Sequence, residues 1–274
     1  MTQPAAASNE TWDGYIRRFH DERAGITDAV LGGARSRGIS PYEWAVEAID
    51  SRSPVVDLAC GGGPLHELVA GPLCVGVDAS SAELALAARA GAGPLVRASA
   101  GDIPLARGAA AAIVCSMSLQ ILQPLDRTLD EVARVLAPGA VFVAVVPANG
   151  PLSVRDQLRY ARLLIALRRR RLDYPNDDAL TNPGRLFAAH ALDVVRDERR
   201  RFGLLVGASS MGEEFVRSLY LPGTSPARLE AAGRLARRWL GDELGIPLRR
   251  IVAIRRDGPV RDALPMPVRP RAPS

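Results

Sequence analysis

Short, wholly apolar runs alternate with amphipathic segments through the middle of this chain. Residues 54–60, 73–77, 94–98, 111–116 and 140–146 are the apolar runs. The segments between them carry helical spacing. Pro64–Ala70 reads as a short helix. Ser80 and Glu83 form a capping box that opens a helix through Ala90. Leu125, Leu129, Val132 and Val135 line one face of a helix stopped by Pro138-Gly139. Strands that are apolar on both faces and alternate with helices predict a parallel sheet covered on both sides.

The flanks follow other patterns. Residues 1–10 read as a loose arm. Trp12, Tyr15, Ile16 and Phe19 then recur at helical spacing, a second helix is expected from Thr27 to Gly38, and Ser40-Pro41 with Glu43 caps a third that ends near Asp50. Beyond the fifth apolar run the pattern predicts one long helix from Ser153 to Leu172, with Leu158, Ala161, Leu164 and Ile165 inward and arginines outward. A polar loop, a helix over 185–192, a long edge strand over 193–206, helices near 211–220 and 226–240 and a last strand over 249–256 complete it. Residues 258–274 hold five prolines and are expected to be a disordered tail. The division expected is a helical lid segment over 1–52, a main domain over 53–257 with halves at 53–150 and 151–257, and the tail.

Composition narrows the chemistry. The chain has 274 residues, 47% hydrophobic and 24% charged, the balance of a globular protein. All 35 basic residues are arginine. Without lysine there is no Schiff-base or P-loop lysine, which excludes ordinary pyridoxal-phosphate enzymes and Walker-type NTPases. Residues 1–150 hold 11 arginines against 16 acids, and residues 151–274 hold 24 against 14. A basic half raises nucleic-acid binding as a possibility, against arginines on solvated helix faces. Three scattered cysteines, Cys60, Cys74 and Cys115, suit a reducing cytoplasm and no zinc or disulfide framework. No basic-then-apolar leader and no run near 18 apolar residues predict neither a signal peptide nor a membrane span.

The chemistry concentrates at Val55-Val56-Asp57-Leu58-Ala59-Cys60-Gly61-Gly62-Gly63-Pro64. An apolar strand runs into glycines, whose missing side chains let backbone approach a ligand closely. A glycine turn between strand and helix suits a nucleotide-like ligand at the carboxyl edge of a parallel sheet. Asp57, an acid inside the strand, suits a cationic ligand end such as an amino group or a sulfonium. Asp78 closes the second strand, Cys74-Val75-Gly76-Val77-Asp78. A carboxylate there can take two ribose hydroxyls, or it is simply a turn aspartate.

These residues resemble the class I S-adenosylmethionine-dependent methyltransferases, in particular the type 11 methyltransferase domain family, strongly over 53–147 and loosely over 183–256. The family's Asp-x-Gly-x-Gly-x-Gly stands here as Asp57-x-Ala59-x-Gly61-x-Gly63. Asp78-Ala79-Ser80 resembles its ribose-binding Asp-x-Ser, and Ile103-Pro104-Leu105 its Leu-Pro-Phe. Ser116-Met117-Ser118-Leu119-Gln120 and Arg134-Val135-Leu136-Ala137-Pro138-Gly139 resemble its fourth-strand exit and Arg-Val-Leu-x-Pro-Gly. Ser99-Ala100 replaces the family's adenine-contacting Asp-Ala, with Asp102 as a substitute if the loop shifts, and Ala110-Ala111 replaces its Phe-Asp. The resemblance implies a Rossmann-like, doubly wound, seven-stranded, mostly parallel sheet, with N-terminal helices and a helical insertion after the fifth strand. It implies S-adenosylmethionine as cofactor, held by Asp57, Ala59, Cys60, Gly61, Gly63, Asp78, Ala79, Ser99, Ala100 and Ser116.

The activity expected is in-line methyl transfer to a small, partly hydrophobic acceptor, with no metal. Alignment and water exclusion carry most of that reaction, so no nucleophilic triad is required. His20 and Tyr15, on the aromatic N-terminal segment, and Gln120, past the fourth strand, are the candidates for a role at the reacting centre. His190 is a weaker candidate. The alternatives are an RNA methyltransferase using Arg168-Arg169-Arg170-Arg171, a non-catalytic cofactor-binding protein and, against the placement of Asp57, a NAD-dependent oxidoreductase. The sequence leaves the acceptor and the oligomeric state open.

Overall fold

Strands β2 (Val55–Leu58), β3 (Cys74–Asp78), β4 (Leu95–Arg97), β5 (Ala110–Ser116) and β6 (Leu136–Pro147) are the five apolar runs, and all of their mutual pairings are parallel. Two long strands, β7 (Leu192–Leu205) and β8 (Glu243–Arg255), join antiparallel. The two-residue β1 (Ala34–Arg35) pairs with the end of β7. The sheet order is β1-β7-β8-β6-β5-β2-β3-β4 in this computed structural model, which describes residues 10–69 and 73–257. Residues 1–9 of the arm expected over 1–10, and the tail over 258–274, lie outside the described residues.

The period of two along each strand builds the two cores. On β6, Val141, Val143 and Val145 join one apolar cluster with Trp44, Leu163, Phe215 and Trp239, while Phe142, Ala144 and Val146 join the other with Leu129, Val132 and Phe187. The helices around the sheet are α1 (Trp12–Glu22), α2 (Ile26–Leu31), α3 (Pro41–Val46), α4 (Ser81–Arg89), α5 (Leu125–Val135), α6 (Val154–Leu167), α7 (Pro183–Ala188), α8 (Ser209–Ser218) and α9 (Pro226–Arg237).

Several expectations are corrected. The sheet has eight strands and not seven, because the helix expected over 27–38 stops at Leu31 and the chain turns through Gly32-Gly33 into β1. Residues 64–69 form successive turns and no helix. Helix α6 ends at Leu167, with Arg168 left-handed at its cap, and it buries a different face. Leu158 and Ile165 are 54% and 75% exposed, and Ala161 is exposed too, while Asp156, Arg159, Leu163 and Leu167 are buried. The cause is polar. Asp156 caps its own helix through Ser153, accepts from the Gly245 backbone N–H at 2.9 Å and pairs with Arg201 at 2.7 Å, so the helix docks on β8 by its acid. Burial opposes ionisation of Asp156, yet these donors hold its carboxyl well below the usual range.

Three arginines of the basic half pair with acids between β7 and β8. Arg249 binds Asp197 through two nitrogens at 2.6 Å, Arg250 pairs with Glu198, and Arg201 pairs with Glu243. Arg200 and Arg250 both lie over the Trp44 ring.

Candidate functional site

The β2 strand delivers Asp57, and the turn after it departs from strand geometry at once. Ala59 has φ 55°, Gly61 φ 54° and Gly63 φ 80°. At the neighbouring strand end, Asp78 ties the turn down. Its Oδ2 accepts from Gly61 N–H at 2.9 Å and its Oδ1 from Ser80 N–H at 2.8 Å. Each oxygen keeps a second lone pair. A Cβ on Gly61 would point toward the carboxylates of Asp28 and Glu83 at 3.6 and 3.7 Å.

Around this turn lies a cavity of about 230 Å³. Asp57, Ala59, Cys60, Gly61, Asp78, Ala79, Ser99, Ala100 and Ser116 all line it, so nine of the ten residues expected to hold the cofactor meet there. Gly63 does not. Its Cβ would meet Ala92 at 2.9 Å and Ala87 at 3.2 Å, so its absent side chain serves packing of the turn on α4. Asp102 is exposed and off the wall, whereas Ser99 lines it.

The cavity is acidic. Asp57 is 4% exposed, and no donor among the described residues hydrogen-bonds to its carboxylate. Burial, then the charges of Asp28 and Asp78, raises its pKa well above the ordinary value. Asp28, from α2, accepts from Tyr42 O–H at 2.6 Å and from Gly62 N–H at 3.0 Å, and burial pushes its pKa up to about 6. Burial also raises Asp78. Glu83 completes the set. Its backbone N–H binds Ser80 Oγ as the capping pattern expects, but its carboxylate turns away to accept from Gly25 N–H at 3.0 Å and to meet His20 Nδ1 at 2.8 Å. None of the four acids has an arginine hydrogen-bonded to it among the described residues. Ser116 Oγ is also buried without a partner on this wall. A group bearing positive charge and hydroxyls fits these unpaired positions.

Helix α1 closes one side. Phe19, Ile121 and Tyr220 form a third apolar cluster, with Trp12, Tyr15 and Ile16 packed on it. Trp12 Nε1–H donates to Ile121 O at 3.0 Å, and Tyr15 Oη accepts from Leu221 N–H at 2.8 Å. His20 lines the cavity, and its Nε2 lies 3.1 Å from Tyr220 Oη.

A larger cavity of about 570 Å³ adjoins the first; Thr27, Met117 and Tyr220 line both. Its walls are mainly apolar, including Val30, Leu31, Val146, Leu164, Phe215 and Leu248, with Arg171 and Arg199 among the polar positions. Gln120 lines it, almost fully buried. Its Nε2 donates to Met117 O at 2.6 Å, and its Oε1 has no partner. His190 lines neither cavity and is held by Asp130 and Asp126 of α5. The arginine run at 168–171 does not act as one patch, since Arg169 turns to Thr224 and the Pro222 carbonyl while Arg171 faces the larger cavity.

Asp57, Asp78 and the glycine turn are local in sequence, whereas Asp28, Glu83, Thr27 and Tyr220 were missed. Glu83 carried a signal, but it read as a cap. Asp28 and Tyr220 carry no local signal, because α2 and the segment after α8, far apart in the chain, bring them in.

An eight-stranded doubly wound sheet with a glycine turn and two strand-end acids defines a Rossmann-like methyltransferase fold. Residues 56–144 match the family model described as "Methyltransferase domain", a family whose cofactor is S-adenosylmethionine. No curated protein matches the chain. Solved structures of similar fold include the [4+2]-cyclase SpnF, at 16% identity and TM-score 0.56, covering 89% of this chain and 96% of that one. A possible histamine N-methyltransferase from Thermotoga maritima is similar at 12% identity and TM-score 0.52, covering 90% and 100%. Geranyl diphosphate C-methyltransferase from Streptomyces coelicolor A3(2), solved with Mg2+, geranyl diphosphate and S-adenosyl-L-homocysteine, is similar at 17% identity and TM-score 0.50, covering 92% and 100%. At these identities the likeness is one of fold. No helix among the described residues is long and apolar enough to cross a membrane.

Proposed function

We propose that the chain transfers a methyl group from S-adenosylmethionine to a small, partly hydrophobic acceptor, with the cofactor in the acidic cavity and the acceptor in the larger one. The observation that carries this is Asp57, a buried carboxylate with no donor, set among three further acids. Such a cluster is costly to bury unless a cation neutralises it. When bound, S-adenosylmethionine supplies an already activated methyl group on a sulfonium and an ammonium on its amino-acid end. Asp57 would hold the ammonium end, Asp78 the ribose hydroxyls through its spare lone pairs, and Ser99 and Ala100 the adenine edge. Ser116 Oγ would take a remaining hydrogen bond. Helix α1, through Trp12, Tyr15 and Phe19, would exclude water from the reacting centre as a lid.

The apolar walls of the neighbouring cavity support a partly hydrophobic acceptor. Gln120 Oε1, buried and unpartnered, would accept a hydrogen bond from it and set its orientation. Isothermal titration with S-adenosylmethionine, S-adenosylhomocysteine and NAD tests the cofactor assignment: the first two are expected to bind and NAD is not. A screen of small acceptors read by release of S-adenosylhomocysteine tests the transfer. Binding of NAD alone would overturn the proposal, and cofactor binding without release from any acceptor would point to a binding protein.

A further inference from the structure

Glu83, His20 and Tyr220 come from α4, α1 and the segment after α8, and they meet end to end. Glu83 is 3% exposed and Tyr220 7%. Glu83 Oε1 lies 2.8 Å from His20 Nδ1, and His20 Nε2 lies 3.1 Å from Tyr220 Oη. Tyr220 stands on the wall that the two cavities share. The chain of contacts therefore runs from a buried acid to the boundary where an acceptor would meet the methyl group.

The chemistry of the groups fixes its direction. An ionised carboxylate only accepts, so the ring nitrogen facing Glu83 must carry hydrogen. Gly25 N–H already donates to the other carboxylate oxygen, which keeps the acid oriented. With hydrogen on Nδ1, neutral His20 presents a lone pair on Nε2, and Tyr220 O–H must donate to it. The Tyr220 oxygen, in a residue that lines both cavities, then remains able to accept. Thr27 Oγ1, buried with no partner in hydrogen-bond geometry, sits beside the same hydroxyl and can orient it.

We propose that Tyr220, His20 and Glu83 form a proton-accepting chain, and that the acceptor is therefore one whose attacking atom carries a proton, O–H or N–H. This rests on the methyltransferase reading above. As the bond from the acceptor atom to the methyl carbon forms, the acceptor's X–H bond breaks and that proton passes to the Tyr220 oxygen. The Tyr220 proton passes at the same time to His20 Nε2. The carbon–sulfur bonding pair stays on sulfur, which becomes neutral, and the positive charge ends on the imidazolium, opposite the Glu83 carboxylate. Release of that proton to solvent resets the chain. Tyr220 is the catalytic residue of the three, His20 holds the proton, and Glu83 is a positioning residue that fixes the ring tautomer.

Nitrogen-15 NMR of the imidazole of His20, in the full chain bound to S-adenosylhomocysteine, tests this without an acceptor. The expected result is a single tautomer, protonated at Nδ1 and bare at Nε2. Tyr220→Phe should leave that tautomer in place and shift only the Nε2 resonance, while Glu83→Gln should release it to a mixture. A wild-type ring protonated at Nε2 would overturn the proposal, because Tyr220 would then receive a hydrogen bond from His20 and could pass no proton to it. Titration of S-adenosylhomocysteine into the same samples separates the two levels of inference. Undiminished binding with the wrong tautomer sinks the proton chain alone, whereas absent binding in the wild type sinks the methyltransferase reading.

Discussion

Asp57 and Ala59 stand two residues apart on the cavity wall, and each is in a costly state, one by burial of its carboxylate and one by its backbone. Removing the charge of Asp57 with Asp57→Asn is expected to weaken S-adenosylmethionine by about 1.5–3 kcal/mol, the worth of hydrogen bonds to a charged group. Isothermal titration measures this directly, and unchanged affinity would contradict the ammonium assignment. Ala59 is left-handed with φ 55°, a conformation costing roughly 1–2 kcal/mol for a residue with a Cβ. Ala59→Gly relieves that strain and gives back about 0.4–1 kcal/mol of unfolded-state entropy. A net gain of about 0.5–1 kcal/mol in urea unfolding is expected, with cofactor binding retained. Gly61 and Gly63 look alike in sequence but differ in place. A side chain on the first meets the cavity acids and one on the second meets Ala92 and Ala87. Gly61→Ala, at φ 54°, should therefore cost roughly 1–2 kcal/mol of stability as well as affinity, and Gly63→Val mainly melting temperature.

Among the elements, α1 is held by a cluster of its own rather than by either sheet core. Phe19→Ala should therefore remove hydrogen-exchange protection over 12–22 and weaken S-adenosylhomocysteine, while the sheet strands keep theirs. A uniform loss of protection across the sheet would instead make α1 part of the main core. The strands were legible in the sequence because a buried parallel strand is apolar on both faces. Helix α6 was not, because it buries Asp156 and Arg159 and leaves Leu158 and Ile165 in solvent, against the hydrophobic period. The last strand was expected over 249–256, arginines included; the part of β8 that was missed, Glu243 to Leu248, carries Gly245 and Pro247, residue types depleted in strands. Asp57 and Asp78 could be found from one short stretch each. The acids that complete their pocket could not, since contacts over 34 or more residues place Asp28 and Glu83.

At the scale of the whole molecule, the acidic cavity links stability to pH. The pKa of Asp28 is raised to about 6, and those of Asp57 and Asp78 are raised as well. An acid whose pKa is raised on folding favours the fold fully below its unfolded value, and that contribution is lost as pH rises through the folded one. For Asp28 the loss falls between about pH 4 and 6. A cationic ligand favours the ionised acids and so reverses the trend. At one fixed concentration of S-adenosylmethionine, a hundredfold above Kd at pH 5, the ligand stabilises the fold by about 2.7 kcal/mol, and the accompanying rise in melting temperature is expected to grow from pH 5 to pH 7 as Kd falls. Thermal shift at pH 5, 6 and 7 checks this, and a ligand effect that does not change with pH would argue against neutralisation of the acids. The wall formed by Thr27, Met117 and Tyr220 has a different consequence. A ligand that moves this wall from one side is expected to change binding on the other, and any such coupling is reciprocal. An acceptor too slow to be seen by turnover would still register as a changed affinity for S-adenosylhomocysteine, so the identity of the second substrate can be sought from equilibrium titrations of the first.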